Sequence, residues 1–132
     1  MWTNQISPIV TSRVKFQGIE ALKTKYPDLN YTTSDKVEDN PKFPSVYIHE
    51  LPSTEQGQDL EGATINAVLS TFQIDVADNV SQARVNNVMT EVVKTMKSMR
   101  YEVIAFPEFN NSGGVYRASA RFRRVVGQGD IL

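Results

Sequence analysis

The chain has 132 residues, the size of one domain, and a domain of that length buries roughly two thirds of the surface its unfolded form exposes. It contains no cysteine, which excludes disulfides, thiolate nucleophiles and thiolate metal sites and fits assembly in a reducing cytoplasm. A formal net charge of −1 supplies no global basic excess for nucleic acid.

The opening Met1-Trp2-Thr3-Asn4-Gln5 lacks the basic segment and apolar run of a signal peptide. Residues 1–6 and 127–132 read as flexible ends of a single domain spanning 1–132. Ser7-Pro8 has the form of an N-cap followed by proline at the first helical position, where the missing N–H is not needed. Ile9, Val10, Val14, Ile19 and Leu22 then recur at helical spacing, and Tyr26-Pro27-Asp28 stops the segment, so a helix is expected over 8–25. Residues 30–34 suit a short strand, and the Asp- and Pro-rich residues 35–45 a loop. Val46-Tyr47-Ile48-His49 is β-rich and is expected to end before Pro52, followed by a polar loop over 52–63.

Residues 64–77 form the longest strand candidate. Val68, Phe72, Ile74 and Val76 share one face and Thr71, Gln73 and Asp75 the other, with Ile65, Ala67 and Leu69 adding apolar character to the second. Asn66, Ser70, Thr71, Gln73 and Asp75 make this stretch too polar to span a bilayer, and a soluble chain without a membrane partner is expected. Val85, Val88, Met89, Val92, Val93, Met96 and Met99 then form a helical stripe, capped by Asn79 or Ser81, with Asn79 and Gln82 as a capping box. Residues 101–106 and 115–126 complete a hairpin around Asn110-Asn111-Ser112-Gly113-Gly114. The order α-β-β-β-α-β-β gives an α+β fold: a mainly antiparallel sheet of four to five strands with two helices on one face.

Residue types leave little room for catalysis. His49 is the only histidine, so no two-histidine zinc site can form, and in a strand-like run it reads as a partly buried strand residue. There is no Gly-x-Ser-x-Gly elbow, Gly-x-x-x-x-Gly-Lys loop or Gly-x-Gly-x-x-Gly turn. No Asp or Glu is followed two residues later by Lys, which removes the acidic-x-Lys pairing of metal nucleases. Asp35, Glu38 and Asp39 lack the glycine and closing glutamate of a calcium loop and read as solvated. No enzyme, metal or cofactor is expected; an enzyme built on His49 or on the 35–39 acids is the outlying alternative.

Charge is distributed unevenly. Residues 35–61 hold seven acids against two lysines, a local balance of −5, whereas 117–124 hold four arginines and no acid. Alternation places Arg117, Arg121 and Arg123 on one sheet face, opposite Tyr116, Ala118, Ala120 and Phe122. That face reads as solvated and partly neutralised by Gln73 and Asp75, or as one side of head-to-tail self-association in which Glu55, Asp59 and Glu61 of one copy meet Arg117, Arg121 and Arg123 of the next. A nucleic-acid groove would want aromatics among the arginines, but Tyr116 and Phe122 fall on the opposite face. Trp2 is either a cap on the domain's own core or an aromatic anchor in a neighbour.

The run Lys25-Tyr26-Pro27-Asp28, then Phe43-Pro44-Ser45-Val46-Tyr47-Ile48-His49-Glu50, resembles the opening of the tail terminator (tail completion) family of tailed bacteriophages. Phe72-Gln73-Ile74-Asp75-Val76, the helix over 83–99, Arg100-Tyr101, and Tyr116-Arg117-Ala118-Ser119-Ala120-Arg121-Phe122 extend the resemblance over residues 7–126, though the acidic 52–63 stretch departs from it. The family is recognised by element order and spacing, with no invariant signature. The resemblance implies a virion subunit assembled in the host cytoplasm into a hexameric ring on the tail tube. Such a ring ends tube polymerisation and presents a surface to the head-completion protein, with DNA at most passing through its lumen. The family contributes no catalytic residues. Head-tail joining and stopper proteins of the phage neck are alternatives of similar size, and a small DNA-handling protein using the arginine strand is another.

Overall fold

The computed structural model describes residues 2–22, 30–32, 44–56, 67–127 and 129–132. A short 3-10 turn, Trp2–Gln5, leads into helix α1, Ile6–Leu22. Strands β1 (Asn30–Thr32), β2 (Ser45–Gln56) and β3 (Ala67–Asp78) precede helix α2 (Gln82–Ser98), and β4 (Glu102–Ser112) and β5 (Val115–Gly127) follow it. The fold is α+β, with the element order that periodicity predicts. The sheet order is β1-β2-β3-β5-β4; β1 lies parallel to β2 and every other pairing is antiparallel. After β3, helix α2 carries the chain to the far edge, and β5 returns into the gap between β3 and β4. The hairpin closes on Gly113 and Gly114, both at positive φ (59° and 77°), the backbone a two-residue turn with the twist of its strands requires.

Alternation in β3 and β5 decides which side is covered. Val76 pairs with Val46 and Ala118, Ile74 with Ile48 and Ala120, and Phe72 with Phe122, all on one face. Onto these rows α2 lays Val85, Val88, Met89, Val92 and Met96, and α1 adds Ile6, Val10, Val14 and Leu22 to the same buried cluster. The alanines of β5 leave room for the valine and methionine side chains that share the buried cluster with them. Deep in this core Tyr101, 1 % exposed, packs edge-on against Phe72 with ring centroids 5.8 Å apart. Its hydroxyl shares a 2.8 Å hydrogen bond with Ser70, a buried polar residue on the core face of β3.

Several boundaries differ from those the sequence suggests. Helix α1 starts at Ile6, not at a Ser7 cap, because the preceding 3-10 turn supplies the first carbonyls and buried Ile6 joins the core. Pro8 falls in the first turn of α1. Residues 23–25 of the expected helix, the Lys25-Tyr26-Pro27-Asp28 run, and residues 33–34 and 64–66 of the expected strands lie outside the described residues. Strand β2 does not stop before Pro52; it runs to Gln56 with a register shift between Leu51 and Thr54 that takes Pro52 out of the ladder. Likewise β4 reaches Ser112 through register shifts around Ala105 on its exposed edge, where Pro107 is tolerated.

Asn79 does not cap α2. The carboxylate of Asp78, fully buried, accepts from the backbone N–H groups of Val80 and Ser81 at 3.1 and 3.2 Å and folds the turn. The cap therefore falls on Ser81, whose Oγ accepts from Arg84 N at 3.3 Å. At the other end Arg100 N–H donates to Lys97 O and Tyr101 N–H to Met96 O, with Arg100 in the left-handed region (φ 65°), where glycine is the usual occupant. The two chain ends are seated on the core: Trp2 and Leu132 pack against it, and Arg13 donates to Leu132 O at 3.2 Å.

Burial pushes the Tyr101 hydroxyl above its ordinary value, against the opposing pull of the Ser70 hydrogen bond and the Arg124 charge. A raised folded value means stability that is complete below the unfolded tyrosine value of about 10 and is lost as pH rises through the folded one. Tyr101→Phe should cost about 1–2 kcal/mol at neutral pH, because Ser70 is left buried without a partner. In denaturant melts repeated above pH 10, the variant should also lack the part of the alkaline decline that Tyr101 contributes.

Candidate functional site: the uncovered sheet face

Residues of odd parity on β5 point away from both helices. In register with them, the rows Tyr47-Asp75-Ser119-Glu108, His49-Gln73-Arg121-Ala105 and Leu51-Thr71-Arg123-Glu102 cross four strands, with Leu69 opposite Val125 at one end and Ala77 opposite Arg117 at the other. Among the described residues no helix packs on this face. It carries a half-buried apolar end at Leu51 and Leu69, beside Val125 at 53 % exposure, and a polar centre.

The centre is a connected network. Arg121 Nε donates to Gln73 Oε1 at 3.1 Å, Gln73 Nε2 donates to Asp75 Oδ1 at 3.3 Å, and Asp75 Oδ2 lies 3.2 Å from His49 Nε2. Tyr47 stacks on the His49 ring at 6.4 Å between centroids. His49 is thus the half-buried strand residue its surroundings in sequence suggest. Gln73 and Asp75 do reach this part of the sheet, but only Gln73 contacts an arginine; Asp75 turns to His49. Arg123 Nε instead meets Glu102 Oε2 at 3.3 Å, across the hairpin.

The arginine cluster read from sequence is divided by the sheet. Arg117, Arg121 and Arg123 are exposed on the open face as alternation requires. Arg124 lies on the helix side, its side chain 9 % exposed, and donates to Met99 O at 2.9 Å and Ile131 O at 3.2 Å. It satisfies a carbonyl at the end of α2 and holds the C-terminal segment, a structural role available from its position in the alternation. Asp75, Glu102 and Glu108 share the open face with the three arginines, so the face is a mosaic of both signs and not a basic patch.

Of the acidic partners expected for this face, Glu55 lies on β2 and its side chain is outside the description, as are Asp59 and Glu61 altogether. The Asp35, Glu38 and Asp39 acids also lie outside the described residues. Trp2, half-buried in the 3-10 turn, packs against the domain's own core. Among the described residues no group of three His, Asp or Glu side chains could hold a metal ion, and no helix is long and apolar enough to cross a membrane.

No family model and no curated protein matches this chain.

What the open face can do chemically is bind: it offers oriented guanidinium groups, a fixed amide, carboxylates and a bordering apolar patch. Neighbouring arginines should report the difference between its two sides. Arg124→Ala, losing charge-assisted bonds from a nearly buried group, should cost about 2–3 kcal/mol in denaturant melts. Arg123→Ala, losing one exposed ion pair, should cost less than about 1 kcal/mol.

Proposed function

We propose that this chain is a structural virion subunit that binds other protein subunits, forming a ring at the head-proximal end of a long phage tail. There it ends tube polymerisation and offers the surface to which the head joins. The observation that carries the reading is the one-sided sheet. Two helices complete the core on one face, and the other, on which no helix packs among the described residues, carries a pre-organised polar network and an apolar border. Interfaces between subunits are built in this way, from apolar contact beside aligned polar groups. The sequence resemblance to the tail terminator family supplies the particular assembly, and the element order of the fold is compatible with it.

Partners under this reading are further copies of the chain, the tail tube protein and the head-completion protein. The alternative of a DNA-handling protein is disfavoured by Asp75, Glu102 and Glu108, which place negative charge among the arginines where a phosphate backbone would lie.

Light scattering on the purified chain, alone and mixed with tail tubes, tests the proposal. A closed oligomer of hexameric mass is expected, together with arrest of tube growth at constant length. A monomer under every condition, with no effect on tail length, would remove the ring.

A further inference from the structure

Arg121 and Arg123 stand two residues apart on the same face of β5 and are held differently. Arg123 faces the carboxylate of Glu102, so its charge is answered within the chain. Arg121 is bonded through Nε to the oxygen of Gln73, a neutral acceptor. Gln73 is in turn fixed by Asp75, which His49 faces. The Arg121 guanidinium is therefore oriented without being neutralised, and its two terminal Nη groups have no partner among the described residues. Arg117, four residues away on the same face, is exposed and likewise has no partner there. A guanidinium held by Nε presents its Nη pair as a fork that takes both oxygens of one carboxylate.

We infer that Arg121, with Arg117 beside it, is the docking point for a carboxylate carried by a second copy of this chain. Residues 50–61 supply it: Glu50, Glu55, Asp59 and Glu61 fall in twelve residues without a single lysine or arginine. A polyphosphate laid along the same face would meet Asp75, Glu102 and Glu108, whereas a single carboxylate addresses only the fork. Arg123, already paired, contributes little. Head-to-tail contact of this kind joins two different surfaces, as a closed ring requires. The inference rests on the self-assembly reading and adds to it a hierarchy among the arginines.

Sedimentation velocity over a range of concentrations, on the full chain alone and mixed with tail tubes, tests it. Arg121→Glu should weaken association by more than about tenfold, and Arg123→Glu by less than about threefold. Gln73→Leu, which leaves the charge unchanged but frees the guanidinium, should weaken it severalfold, and circular dichroism should show each variant folded. Copies carrying Glu55→Lys, Asp59→Lys and Glu61→Lys should associate with Arg121→Glu copies more strongly than either kind associates alone. If the unaltered chain assembles and Arg121→Glu assembles equally well, the docking point is wrong while the ring survives. If the unaltered chain never assembles, both fall. Binding to a DNA duplex that Arg121→Glu abolishes, without self-association, would overturn the inference in favour of nucleic acid.

Discussion

The pairing of β3 with β5 is the constraint on which the remaining structure depends. Phe72 opposite Phe122, Ile74 opposite Ala120 and Val76 opposite Ala118 bring six apolar residues to one face in a single register. Because strand side chains alternate strictly, a slip of one residue would turn that set to solvent and bring Arg117, Ser119, Arg121 and Arg123 under α2. Desolvating those guanidinium groups without partners would cost more than a domain's whole margin of stability. The register is thus enforced from both sides, by what gains from burial and by what cannot be buried.

From that register the open face follows. It brings Gln73 opposite Arg121 and sends Arg124 to the other side, where a guanidinium ties β5 to the end of α2, while the β4–β5 pairing sets Glu102 opposite Arg123. Four arginines within eight residues consequently serve different ends. One is structural, one is answered by a carboxylate, one is aimed by an amide, and one stands without a partner among the described residues. A surface that holds an arginine in place without neutralising it is arranged to receive negative charge from elsewhere.

Much of this was legible from residue order. The stripe from Val85 to Met99 repeats at 3.6 residues for four turns, and β3 and β5 alternate over most of their length, so helix, strands and faces could be placed. Arg124 could also have been separated from its neighbours by parity alone. Other features were hidden because they depend on tertiary context. Pro52 reads as a strand breaker, yet it and Pro107 each sit where a register shift releases the chain from the ladder. Arg100 gives no sign of a left-handed backbone, since glycine is the residue that would announce it. The cap at Ser81 depends on a buried Asp78 carboxylate folding the turn before it, which no local pattern distinguishes from a cap at Asn79. The Arg121-Gln73-Asp75-His49 network draws on three strands and cannot be read until their register is known.

On the proposed reading, the sheet face on which no helix packs among the described residues becomes covered when the chain assembles. Because the chain has no cysteine, Ser119→Cys places a single thiol in the middle of that face, between Asp75 and Glu108 in the same row. Its rate of reaction with a thiol reagent should fall sharply on going from the free subunit to the assembled particle, while a thiol at Lys97 on α2 serves as the reference. Equal reactivity at position 119 in the free and assembled states would contradict the account.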